Sequence, residues 1–324
     1  MPRSSAIVLL FVACLLPAGA LAEAPQAAVD QARSAWVGGW EAYAASLDGT
    51  LERPVRAAHM QEAQRLLLAA AAAAPTNPVY AEAAGYVAFQ AGDYKTAEQQ
   101  LTRARERAGN QPRVHMLLAQ VYSYGAYDEP KQARHWAKKA VDALTKAGRL
   151  DRGNANGQVA AASLLLDAGF SDWRKHLDLA LAAPSPALRL YELPLPALPA
   201  PQAAAIQYQF CMAQAARLVN VVRACCRWAS EHPGEAAQIL AQAKQVAGLL
   251  QRATPTWASV TLAGVNAERQ IEQALPSPSQ ERLAQLKAWA EALAPLQVMP
   301  EPTASLTRFM ESQRAAVARV MGAQ

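Results

Sequence analysis

Apolar residues along most of this chain recur at spacings of three and four rather than two. Ala97, Leu101 and Ala104 share one helical face, as do Leu283, Leu286, Ala290 and Leu293. Proline, glycine and short polar clusters interrupt the pattern repeatedly, which predicts many helices with sharp ends. Beyond residue 201 the pattern predicts about five helices. The first runs roughly 202–231. Others begin at His232-Pro233-Gly234, at Thr254-Pro255 (a Thr cap before Pro), and at Ser277-Pro278-Ser279-Gln280, where a Ser cap has Gln three residues on. The last follows Pro300 and Pro302. One stretch breaks the rule. Residues 184–201, PSPALRLYELPLPALPAP, hold six prolines and cannot form a continuous helix. They also carry Leu188, Leu190, Leu193, Leu195 and Leu198, too apolar for a free linker. An extended strap packed over helices is expected at 185–201.

Composition supports the helical reading. Hydrophobic residues make up 52% of the 324, but aromatics only 6%, so the apolar content is mostly Ala and Leu, which favour helix over sheet. The net charge of +5 is small and evenly spread, which gives no case for a nucleic-acid partner. Residues 1–22 read as a secretory signal peptide. Arg3 precedes the apolar run Ala6 to Leu16, and Ala20-Leu21-Ala22 has the small-x-small form cleaved before Glu23. Lipidation at Cys14 is a minor alternative. No later stretch is apolar enough to span a membrane: the longest candidate, 203–229, is interrupted by Arg217, Arg223 and several Gln. An exported, periplasmic or secreted protein is therefore expected.

Cleavage would leave Cys211, Cys225 and Cys226. All three fall in one predicted helix, where Cys211 and Cys225 would lie roughly 21 Å apart. A disulfide needs Cα atoms within about 7 Å, so those two cannot pair. Small buried apolar residues are the plain reading, and a vicinal redox or metal module at Cys225-Cys226 and an intermolecular bridge are the sharper ones.

Residues 78–110 read PVYAEAAGYVAFQAGDYKTAEQQLTRARERAGN. Gly85 is a small residue on a first helix, Gly92-Asp93-Tyr94 is a turn, and Ala97, Leu101 and Ala104 form the contact face of a second helix. This resembles a tetratricopeptide repeat, a pair of antiparallel helices of about 34 residues. Residues 112–147 fit the same template, with Leu118, Ala119 and Tyr122 on one helix and Ala133, Ala137 and Ala140 on the next. A degenerate copy precedes them, with Trp36, Gly39, Trp40 and Tyr43 before Ala63, Leu67 and Ala70. Another follows over 155–168 and 171–183. The resemblance covers roughly 26–184, about half the chain. It implies an all-α protein: a tetratricopeptide-like solenoid over 23–184, the strap, and a helical bundle over 202–324.

In such arrays the first helices of successive repeats line a groove. The resemblance therefore implies partner-binding candidates Val79, Glu82, Tyr86, Phe89 and Gln90 on one repeat, and Arg113, Met116, Gln120, Ser123 and Tyr124 on the next. Two alternatives stay open. Tyr86 and Phe89 are either exposed in the groove or buried against a neighbour, and the groove is either open or filled by the strap.

Sequence motifs for catalysis, dinucleotides, zinc or haem are lacking, so no cofactor and no metal is expected. Asp151 to Gly157 has Gly and Ala where a calcium loop needs oxygen ligands. The function implied is a non-catalytic scaffold for a protein or peptide in the cell envelope. Its oligomeric state is left open. The alternative is a cell-envelope enzyme or enzyme subunit with a carboxylate-based site in the C-terminal helical region.

Overall fold

A computed structural model describes residues 26–128, 130–168, 170–182, 186–297 and 306–322. The expected signal segment, with Cys14, lies outside these residues. The protein is all-α. Among the described residues eight α-helices precede the proline-rich stretch: α1 (Gln26–Ser46), α2 (Arg53–Ala73), α3 (Pro78–Gln90), α4 (Tyr94–Ala108), α5 (Pro112–Asp128), α6 (Ala133–Leu150), α7 (Asn156–Asp167) and α8 (Trp173–Leu181). Five follow it: α9 (Ala200–Glu231), α10 (Ala236–Gln251), α11 (Ala258–Ala274), α12 (Gln280–Leu293) and α13 (Leu306–Gly322).

Local chemistry sets several boundaries. Asn77 caps α3 by accepting from Val79 N at 3.0 Å, with Pro78 in the first turn. Asp93 caps α4 by accepting from Thr96 N at 3.1 Å, after Gly92 turns the chain at φ +82°. Two expected caps sit elsewhere. Ser279, not Ser277, caps α12 by accepting from Arg282 N at 3.2 Å. Helix α11 starts only at Ala258, because Thr254 is engaged by the strap described below.

Consecutive helices pack against each other, and glycine sets how closely. A Cβ on Gly39 of α1 would come within 2.6 Å of Leu67 Cγ on α2. One on Gly85 of α3 would meet Leu101 Cγ on α4 at the same distance. Two later crossings are tighter because backbone meets backbone. At Gly157 of α7 a Cβ would lie 2.8 Å from Gly148 N of α6. At Gly264 of α11 it would lie 2.8 Å from Gln251 N of α10.

Between α8 and α9 the chain runs extended from Ala187 to Leu193. No strand lies beside it among the described residues, yet its backbone groups are paired on both edges. Ala187 N donates to Gly153 O at 3.2 Å, and Ala187 O accepts from Ala155 N at 2.8 Å. The next three odd-numbered residues are held by side-chain carboxamides. Asn154 accepts from Arg189 N and donates to Arg189 O, both at 3.0 Å. Gln214 does the same for Tyr191 at 2.9 and 2.8 Å, and Gln207 for Leu193 at 2.9 and 2.7 Å. The period is that of a β-strand, with carboxamides in place of a neighbouring backbone. On the other edge Leu190 N donates to Thr254 O at 2.7 Å, and Thr254 N donates to Leu188 O at 2.9 Å. Leu188, Leu190 and Leu193 are buried. The segment is thus packed, as its leucines predict.

The cores run across the strap. One joins α1 to α7 with Leu193, Ile206 and Phe210. A second joins α7 and α8 with Leu188, Leu190 and residues of α9 to α11. A third, smaller one holds α12 and α13 on α11 through Leu286, Leu293 and Val317.

Substitution of Gly157 or Gly264 by Ala forces backbone apart and is expected to lower unfolding free energy by about 1–3 kcal/mol each. Gly234, where a Cβ would meet nothing within 4 Å, is the control. Gly234→Ala should change stability by less than about 0.5 kcal/mol in the same urea titration.

Candidate functional site

Helix α9 is the element that makes the site. It is 32 residues long and packs against α1, α7, α10 and α11. Its side chains fall on distinct faces. Gln207, Cys211 and Gln214 face the strap. Gln209, Ala213, Ala216, Arg217 and Asn220 occupy a second face, turned by about 130° at about 100° per residue. That second face looks across at α3, α5 and α7. The space between is a cleft of about 670 Å³, within the range of small-ligand sites.

The near wall is Phe89 and Gln90 of α3 with Gln120, Ser123 and Tyr124 of α5. Leu144, Ala160, Ser163 and Leu164 form the base, and α9 forms the far wall. Tyr124, Ala213, Ala216 and Asn220 are solvent-exposed and mark its mouth. The aromatic side is ordered by ring contacts: Phe89 lies edge-on to Tyr124 at 5.2 Å and near Tyr94 at 5.9 Å.

The polar groups of this cleft are largely uncommitted. Gln120 is 3% exposed and makes no hydrogen bond to the described residues. Gln90 and Asn220 are likewise without a partner among them. Gln209 accepts from Tyr43 Oη at 3.1 Å through its carbonyl, which leaves its amide nitrogen over the cleft. Arg217 has no ion pair and no hydrogen bond among the described residues. Protein atoms surround its guanidinium while part of its surface opens to the cleft, and burial pushes its pKa down to about 10. It therefore remains a cation at neutral pH.

The residues implicated by the repeat resemblance divide sharply. Phe89, Gln90, Gln120, Ser123 and Tyr124 line the cleft. Tyr86 does not: it is buried, 5.5 Å edge-on from Phe210 of α9 and 3.1 Å from Tyr43 Oη. Burial raises the pKa of both phenols, so they act as neutral hydrogen-bonding groups. Met116 is packed in the core. Glu82 and Arg113 are closed on each other through a two-pronged ion pair. Val79 is half-buried at the start of α3 and packs on the core. The groove expected from the resemblance is thus filled mainly by α9, with the strap alongside, and the cleft is what α9 leaves open. Gln209, Arg217 and Asn220 are the residues that sequence reading missed. The signal was present as an arginine and glutamines interrupting an otherwise apolar helix.

The buried carboxylates of the C-terminal half and the three described cysteines are not among the cleft-lining residues. Glu268 and Glu272 are the buried carboxylates of the C-terminal half among the described residues. Glu268 accepts from Arg282 at 2.9 and 2.7 Å and from Gln251 at 2.7 Å. Glu272 accepts from Ser279 N at 2.8 Å, and Lys244 lies 3.9 and 3.7 Å from the two. Both sit away from the cleft in an ion-pair network between α10, α11 and α12. Cys211, Cys225 and Cys226 are free thiols, and burial pushes Cys211 and Cys225 up to about 12. No group of three or more metal-ligating side chains converges among the described residues. None of their helices is long and apolar enough to cross a membrane.

No protein-family model matches the chain, and no curated protein matches it.

Proposed function

We propose that this chain is an exported, non-catalytic binding protein that takes a peptide segment of a cell-envelope partner into the α3–α5–α7–α9 cleft. The N-terminal helices resemble tetratricopeptide repeats, and the glycine–leucine contacts at Gly39–Leu67 and Gly85–Leu101 support that likeness. One observation carries the reading. Gln120 is buried, lines the cleft and has no partner among the described residues. Its carboxamide is therefore available to hydrogen-bond a ligand in the cleft. The surrounding Phe89, Tyr124 and Phe210 supply apolar contact to the same ligand.

Two measurements test this. Protein recovered from the periplasm of an expressing bacterium should begin at Glu23 on N-terminal sequencing. Retention of residue 1 on a cytoplasmic product would contradict export. Binding is measured by fluorescence anisotropy with a dye-labelled pool of random pentapeptides. The pool should bind saturably, and Ala213→Trp, which fills the cleft from an exposed position, should weaken binding at least about tenfold, or about 1.4 kcal/mol. Equal binding by the folded variant would place the site elsewhere.

A further inference from the structure

The two faces of α9 carry the same chemistry in two states. On one face Gln207 and Gln214 hold an extended piece of the chain, each accepting from a backbone N–H and donating to the carbonyl of the same residue. On the other face the cleft presents Gln90, Gln120, Gln209 and Asn220, with none of the described residues between them. A carboxamide carries both a donor and an acceptor and so matches a peptide unit. The molecule already reads an extended backbone this way once. The cleft repeats the residue type, with Gln209 offering its amide nitrogen and Gln90, Gln120 and Asn220 both a donor and an acceptor.

Charge narrows the ligand further. Among the described residues that line the cleft, Arg217 is the one cation and none is Asp or Glu. A partly buried guanidinium without a counter-charge is costly to the protein alone. A carboxylate can meet it with two parallel hydrogen bonds, stronger than neutral ones. From Gln209 to Asn220 the α9 wall spans about 16 Å at 1.5 Å per residue. An extended chain covers that length in about five residues.

Resting on the peptide-binding reading above, we infer that the cleft selects an extended peptide of about five residues bearing a carboxylate, seated on Arg217 while Gln120, Gln209 and Asn220 pair with its backbone. The carboxylate is supplied either by a C-terminus or by an Asp or Glu side chain, and the same Arg217 chemistry serves both.

Three dye-labelled pentapeptide pools separate the possibilities: free C-terminus without Asp or Glu, amidated C-terminus with one Asp or Glu, and amidated without acid. At least one acid-bearing pool should bind wild type about ten- to a hundredfold tighter than the neutral pool, and which one does so identifies the source of the carboxylate. Arg217→Gln should erase that preference, so that the acid-bearing and neutral pools bind the variant equally. Arg217→Lys should retain part of it, since the charge remains but the fork is lost. Circular dichroism should show Arg217→Gln melting no lower than wild type, because an unpaired charge has been removed. Equal binding of all three pools to wild type overturns the carboxylate inference and leaves peptide binding standing. So does an acid preference that survives in Arg217→Gln. Failure of every pool to bind wild type overturns both. The wild-type comparison decides the matter even if a variant does not fold.

Discussion

A proline-rich segment cannot satisfy its backbone by coiling into a helix, and among the described residues no sheet receives it. Its buried N–H and C=O groups must find partners or cost about as much as lost hydrogen bonds. Asn154, Gln207 and Gln214 meet that demand at alternate residues, and Thr254 meets it on the other edge. Most else about the arrangement depends on this. Asn156 ties the device together by donating to Arg189 O at 3.1 Å and to Gln214 Oε1 at 2.8 Å, so α7, the strap and α9 share one network. Such a network tolerates little sliding, because a shift of one residue would present every carboxamide with side chains instead of peptide units.

Fixing α9 in that register decides what the N-terminal helices can expose. Phe210 is driven onto Tyr86, and Tyr43 bridges Tyr86 and Gln209. The apolar surface that a bare array of helices would offer is covered by the chain itself along one side. On the other side Ala213 and Ala216 are too small to reach across, and a cleft stays open beneath Tyr124. Binding capacity here comes from the mismatch between a helix placed by its contacts with the strap and the helices it crosses.

Much of this was legible in the sequence. Helix periodicity and prolines located most elements within a few residues, and the packed strap followed from leucines that a free linker would not carry. Gly85 was readable as a point of close approach and Leu101 as part of the facing surface, and the two meet in the fold. The misplaced caps had a physical cause. Thr254 looks like a helix cap in isolation, but its backbone is drawn away by the strap. At the site, the near wall was legible and the far wall was not. A repeat pattern tells which helix face turns from its own partner. It says nothing of a distant helix arriving to cover part of that face, so Tyr86 and Met116 read the same as Phe89 and Gln120. Glutamine is also silent about its role in sequence: Gln207 and Gln214 clamp the chain, while Gln209 between them faces a cleft.

Native-state hydrogen exchange at the N–H groups of Arg189, Leu190, Tyr191 and Leu193 tests the strap most directly. Held by carboxamides and by Thr254, these four should exchange as slowly as amides in the middle of α9, and Gln214→Leu should release Tyr191. Exchange of all four at the rate of an unstructured peptide would contradict a strap that fixes α9 and thereby shapes the cleft.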